Sequence, residues 1–303
     1  MQYYFAPLEG LTDSIYRKLH YEYFGGPDRY YTPFFSPTVH RSLTVKEQRE
    51  LPLSDTLGYT AIPQILTKNS EDFLWFAQQC AQRGYPEVNL NLGCPSGTVT
   101  AKGKGSGMLR DLDALDRFLE EIFTCPPLPI SIKTRIGFYE PEEFPRIMEI
   151  INRYPVCELT VHPRIRGDFY KGTPNRDAFT YAVTHSKAPL CYNGDITELS
   201  QAQNIESVNA VMIGRGLIAD PGMLRPEKNT PKNLQEFCNA LLQAYTDAFG
   251  SAKNAMFRLK EHWFYLLTRF EGAEKLSKQL RKTTDLTVFQ NITKDIFSQC
   301  KRI

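Results

Sequence analysis

The chain has no apolar run approaching the roughly 20 residues that a membrane-spanning helix needs. Its opening, Met1-Gln2-Tyr3-Tyr4-Phe5, passes straight into strand-like sequence and lacks the basic, then apolar order of a signal segment. A cytoplasmic protein is therefore expected. Its seven cysteines are odd in number and include no CxxC pair, which argues against a disulfide framework or a zinc cluster, so no metal is expected. An excess of either charge is missing too. With 36 lysines and arginines against 34 acids the formal charge is +2, and any attraction for nucleic acid has to be local. No GxGxxG follows the first strand-like run, which removes the main fingerprint of a doubly wound dinucleotide-binding sheet.

What the chain does have is alternation. Short strand-like runs occur at 2–8, 29–35, 59–66, 87–92, 129–135, 158–162, 189–193 and 210–213, with helical sequence after nearly all of them. Asn69-Ser70-Glu71-Asp72 caps one helix, whose Phe73, Phe76, Ala77, Cys80 and Ala81 recur at helical spacing. Leu112, Leu115, Phe118, Leu119 and Ile122 form a second such stripe. Eight strand-helix repeats predict an α/β fold, a (β/α)8 TIM barrel over residues 1–225. A proline-flanked linker, 226–231, then leads into an all-helical C-terminal domain, 232–303. Residues 226–303 hold 13 lysines and arginines against 8 acids, and Lys275, Lys278, Arg281 and Lys282 cluster within about two turns. These are either a solvated helix face or a phosphate-facing surface.

The most informative stretch is Glu87 to Leu109. Val88-Asn89-Leu90-Asn91-Leu92 alternates apolar and polar residues, so its two rows face different environments. Gly93-Cys94-Pro95 stops the strand and holds the Cys94 thiol at its mouth. Cys94 is either a small buried hydrophobe or a reactive group. The following Lys102-Gly103-Lys104-Gly105-Ser106-Gly107 reads as a mobile basic loop over the same mouth.

Barrel enzymes place their chemistry at the carboxyl ends of the strands. Here those ends carry Ala6-Pro7-Leu8, Gln64, Asn91 and Cys94, Lys133 and Arg135, His162, Asn193-Gly194-Asp195 and Gly214-Arg215-Gly216. Lys133 alone could be a snorkelling side chain and His162 alone a satisfied core histidine, but every polar interruption falls at the same end of its strand. The loops after strands seven and eight offer glycines for close backbone approach and Arg215 for charge, a pattern suited to a phosphate. FMN is the expected cofactor, its phosphate in these loops and its ring across the barrel mouth.

Asn91-Leu92-Gly93-Cys94-Pro95-Ser96 resembles the signature of the tRNA-dihydrouridine synthases, flavoenzymes that reduce a uridine of tRNA. The resemblance extends over Ala6 to Asp13, Pro63-Gln64-Ile65, Lys133 to Gly137, His162 to Arg166, Asn193-Gly194-Asp195 and Gly214-Arg215-Gly216. It implies that Ala6, Pro7, Leu8, Gln64, Lys133, His162, Asn193, Gly194, Asp195, Gly214 and Arg215 hold FMN, that NADPH is the reductant and that Cys94 is the acid. It also implies that Asn91, Arg164, Arg166, Tyr170 and Arg176, with Lys275, Lys278, Arg281 and Lys282 of the helical domain, meet the tRNA, with no obligate protein partner. The residue after His162 is Pro163 where many members have glycine, and Gly167 to Gly172 is a longer insertion than is usual.

Two other functions fit parts of the pattern. A dihydroorotate dehydrogenase-like barrel would use the same cysteine as a base on a free pyrimidine and would need no basic helical domain. A non-catalytic RNA-binding protein on a barrel scaffold would hold no flavin.

Overall fold

A computed structural model describes all residues from Met1 to Ile303. Eight parallel strands close into a barrel in chain order: β1 Gln2–Phe5, β2 Arg29–Phe35, β3 Ala61–Ile65, β4 Val88–Leu92, β5 Ile130–Gly137, β6 Leu159–Ile165, β7 Leu190–Asn193 and β8 Ala210–Ile213. β1 pairs with β8 from Gln2↔Ala210 to Phe5↔Ile213, and this pairing completes the ring. Helices lie between the strands, so the fold is the expected TIM barrel. All the strand runs anticipated from the sequence are present, with ends shifted by a few residues.

The strands form because both of their faces are covered. β3 and β4 are buried at every position, as expected for parallel strands walled by helices. The helix Ser70–Gln82 buries Phe73, Phe76, Ala77 and Cys80, the stripe visible in the sequence. Leu112–Thr124 buries Leu115, Phe118, Leu119 and Ile122 in the same way. Inside the ring, Tyr4, Tyr31, Ile62, Cys191, Ala210 and Met212 form one apolar cluster.

Contacts divide the chain into two compact units. The first contains Met1–Glu9, Asp28–Asp195 and Ala202–Ile213 and so holds every barrel strand. The second contains Gly10–Pro27, Ile196–Gln201 and Gly214–Ile303. This division does not follow a single cut at residue 225, since the helix Ser14–Tyr23 is grouped with the second unit. Within that unit Tyr16 stacks on His262 at 4.7 Å, and Tyr245 donates to Asp13 at 2.8 Å. The linker contains a short 3-10 turn at Pro226–Lys228, and Pro231 opens a helix that runs to Phe249.

Two features depart from the sequence reading. The C-terminal part is not purely helical, because Phe270–Glu271 pairs antiparallel with Lys301–Arg302. Of the glycine-rich stretch 102–107 expected as a mobile loop, Gly105 to Gly107 instead enter a 3-10 turn, Gly105–Arg110, in which Gly105 to Leu109 are buried, while Lys102 stays exposed.

Candidate active site

The first unit brings Cys94, Asn91, Gln64 and Lys133 together at the carboxyl ends of β3, β4 and β5. Asn91 is the last polar residue of β4, and its Oδ1 accepts from the backbone amides of Gly93 at 3.0 Å and Cys94 at 2.8 Å. This turn carries the chain out of the strand and sets Cys94 at its end. The other side of Cys94 is fixed as well. Its carbonyl accepts from Ser106 N at 3.2 Å and Ser106 Oγ at 2.9 Å. Gly105 has a φ of +58°, and a Cβ there would lie 2.9 Å from the Cys94 carbonyl oxygen. A glycine is therefore required by conformation and by space.

The Cys94 thiol is half-buried, neither sealed in the core nor freely exposed. Burial raises its pKa, with the Ser96 backbone, Arg135 and Lys133 pulling only partly the other way, which favours the protonated thiol at neutral pH. Lys133 lies in register with Asn91 on the neighbouring strand. Its ammonium has no hydrogen bond or ion pair within the protein. Burial, reinforced by Arg135, lowers its pKa to about 8. An unpaired, half-buried cation fits a ligand that brings negative charge, as a reduced flavin ring would.

Gln64, expected at the pyrimidine edge of a flavin, is 1 % exposed. Its Nε2 donates to Asn89 Oδ1 at 2.8 Å, and its Oε1 accepts from Asn91 Nδ2 at 2.7 Å. Asn91, expected to read the uracil edge, spends its oxygen on the Cys94 turn and one N–H on Gln64. One N–H of each amide is left for a ligand. Asn91 holds the Cys94 turn directly, and Gln64 holds Asn91.

A second cluster forms on β6 and β7. Arg164 was expected to face RNA, but it is 1 % exposed and turned inward. Its Nε donates to Lys171 O at 3.0 Å, and its other nitrogens pair with both carboxylate oxygens of Asp195. Nη1 also lies 3.1 Å from His162 Nε2. Because guanidinium only donates, His162 accepts there and carries its proton on Nδ1. Arg164 is thus a strut between the ends of β6 and β7.

Arg135, to which the sequence reading gave no role, is a second strut. Its Nε donates to Gly93 O at 3.0 Å, Nη1 to Ile165 O at 2.8 Å and Nη2 to Phe169 O at 2.6 Å. Phe169 has a φ of 51°, unusual for a bulky residue, and this bond helps to hold it there. Above, Tyr170 is 49 % exposed, with the Arg135 guanidinium 5.6 Å from its ring centroid. Arg166 lies 5.1 Å from the Phe169 ring and 5.6 Å from that of Phe138. Arg176 opens the helix Arg176–His185 and is exposed. The sequence signal for Arg135 was its position two residues after Lys133, on the same face of β5.

The expected phosphate residues are placed individually. Asn193 Nδ2 donates to Met212 O at 2.8 Å, which ties the end of β7 to β8. A Cβ at Gly194 would lie 3.0 Å from Tyr192 Oη and 3.2 Å from Pro174. Ala6 N donates to Ile213 O at 2.8 Å, closing the rim at β1. In the second unit, Gly214 precedes the short helix Arg215–Ala219. On the helix Glu274–Lys282, Lys275, Lys278, Arg281 and Lys282 are all exposed.

The fold is that of the barrel enzymes, which carry their chemistry at the strand ends, where Cys94 and Lys133 lie here. Comparison with known proteins narrows the class. The dihydrouridine synthase (Dus) family matches residues 4–301, and the chain belongs to that family of enzymes acting on tRNA. It is 28 % identical over 303 residues to a tRNA-dihydrouridine(16) synthase of Shigella flexneri, covering 93 % of this chain and 94 % of that one. It is 26 % identical over 295 residues to a probable tRNA-dihydrouridine synthase of Staphylococcus aureus, covering 93 % and 88 %. Among solved structures, a variant of NCR from Zymomonas mobilis matches with a TM-score of 0.53 at 14 % identity, covering 78 % of this chain and 94 % of that one. A mutant morphinone reductase in complex with tetrahydroNAD matches at 0.52 and 13 %, covering 76 % and 88 %. These two likenesses concern the barrel fold. No helix is long and apolar enough to cross a membrane.

Proposed function

We propose that this protein reduces a uridine of tRNA to 5,6-dihydrouridine with FMN as cofactor and NADPH as reductant, and that Cys94 is the general acid. The observation that carries the reading is the half-buried Cys94, its backbone held on both sides at the end of β4 on the strand beside that of the unpaired Lys133. FMN, when bound and reduced, supplies the hydride that adds to C6 of the uracil. Charge then builds on C5 and the adjacent carbonyl, and Cys94 delivers its proton to C5. A thiol with a raised pKa holds that proton until the carbanion has formed. Lys133 balances negative charge on the flavin ring, and the remaining N–H of Asn91 meets the uracil edge.

His162 and Asp195, held by Arg164, line the rim near the flavin, with Ala6, Pro7, Leu8, Gln64, Asn193 and Gly194. Gly214 and Arg215 are assigned to the flavin phosphate on their sequence pattern alone. Arg166, Tyr170 and Arg176 present charge and an aromatic face to RNA, and residues 232–303 grip the tRNA through Lys275, Lys278, Arg281 and Lys282. On this reading the protein works in the cytoplasm with tRNA as its partner and needs no obligate protein partner. The test compares unmodified tRNA with free uridine as electron acceptor, scoring dihydrouridine. Reduction of tRNA alone is expected. Equal reduction of free pyrimidine would favour a dihydroorotate dehydrogenase-like enzyme, and a purified protein without a flavin absorption band would favour a non-catalytic RNA binder.

A further inference from the structure

An unbroken chain of hydrogen bonds, buried along its middle and part-buried at its two ends, runs through the barrel interior and ends on the backbone of Cys94. It begins at Glu87, whose Oε2 accepts from Arg29 at 2.8 Å and whose Oε1 accepts from Ser131 Oγ at 2.6 Å. Ser131 Oγ accepts from Asn89 Nδ2 at 2.8 Å. Asn89 Oδ1 accepts from Gln64, and Gln64 Oε1 from Asn91. Asn91 Oδ1 finally accepts from the Gly93 and Cys94 amides. Ser131 is 1 % exposed and Asn89 0 %, so both lie away from bulk solvent.

The direction of this chain is forced from both ends. A carboxylate can only accept, and backbone amides can only donate. The three intervening carboxamides therefore each have one allowed orientation, with oxygens toward the Cys94 end in one consistent polarity. Ser131 is the hinge of the scheme, because its hydroxyl alone converts the accept-only carboxylate into an acceptor for Asn89. We infer that Ser131 and Asn89, with Glu87 behind them, are positioning residues that set the orientations of Gln64 and Asn91 and so hold the Cys94 thiol over its substrate. Glu87 precedes β4 and Cys94 follows it, so the effect reaches Cys94 from the opposite end of the strand. The role in catalysis rests on the function proposed above, but the control of the Cys94 turn does not.

The test uses Ser131→Ala, Ser131→Thr and Asn89→Leu in the full chain. The first readout is the alkylation rate of Cys94 by iodoacetamide at pH 8, followed on the Cys94 peptide by mass spectrometry. The second is tRNA uridine reduction, with flavin reduction by NADPH as control. Ser131→Ala and Asn89→Leu loosen the turn and lessen the burial that raises the thiol pKa. Alkylation should quicken by at least about threefold. The kcat for uridine should fall by at least about tenfold, by more than the rate of flavin reduction, and Ser131→Thr should restore both the alkylation rate and kcat. If either folded variant alkylates at the wild-type rate, the inference is overturned. If alkylation shifts while even the wild-type chain reduces no tRNA uridine, the positioning stands and the proposed function falls.

Discussion

Raising the pH from 7 to 9 should weaken FMN binding by the apoprotein about tenfold, and the loss should belong to Lys133. Its ammonium is unpaired within the protein, and its pKa is lowered to about 8, first by burial and then by Arg135. If bound flavin needs that ammonium, affinity scales with the charged fraction, which falls from about 0.9 at pH 7 to about 0.1 at pH 9. The sign follows from the shift, since a lysine lowered to about 8 loses its proton inside this window. The Cys94 thiol, moved upward, keeps its proton through most of it. Fluorescence titration of apoprotein with FMN from pH 6.5 to 9.5 measures the slope. Lys133→Arg should flatten the profile, because guanidinium stays charged throughout. Lys133→Met should bind weakly at every pH. A flat wild-type profile, or a slope that persists in Lys133→Arg, would refute the assignment.

Other consequences are separately measurable. Burial lowers His262 to about 4 and His20 to about 3, so between those values and 6.5 the folded chain binds fewer protons than the unfolded one. Stability should therefore fall on acidification below pH 6.5, by about 2 kcal/mol for each histidine at pH 5. Urea unfolding should show this, with a shallower slope in His262→Gln. Gly105→Ala forces a left-handed residue and a collision with the Cys94 carbonyl. Thermal unfolding should register a cost of about 1–3 kcal/mol. Replacing Lys278, Arg281 and Lys282 by alanine should weaken tRNA binding and reduce its logarithmic salt slope by up to about 2, while flavin reduction is spared. Unchanged binding would leave these residues as a solvated helix face.

The barrel was legible because each parallel strand is an apolar run closed by a turn, and each stripe such as Phe73, Phe76, Ala77 and Cys80 buries one helix face. β6 runs three residues beyond its expected end at His162, since Pro163 hid the continuation to Ile165. The alternation in β4 was visible, but its cause was not. Both rows are buried, and the polar row faces an interior hydrogen-bond chain rather than solvent. Composition also misled in the second half of the stretch 102–107, where Gly105 serves close approach to the Cys94 carbonyl and Gly107 to the Thr100 backbone. Arg164 shows the limit most plainly. The resemblance implied a contact with RNA, whereas its direction is decided by Asp195, 31 residues later in the chain.

The role of Cys94 is tested most directly by Cys94→Ala, assayed in two half-reactions on the same preparation. The variant should bind flavin, and NADPH should bleach it at the wild-type rate. Dihydrouridine formation in tRNA should fall by at least about a hundredfold, the usual scale for losing a general acid. Wild-type dihydrouridine formation in that variant would contradict the account and remove Cys94 from the chemistry.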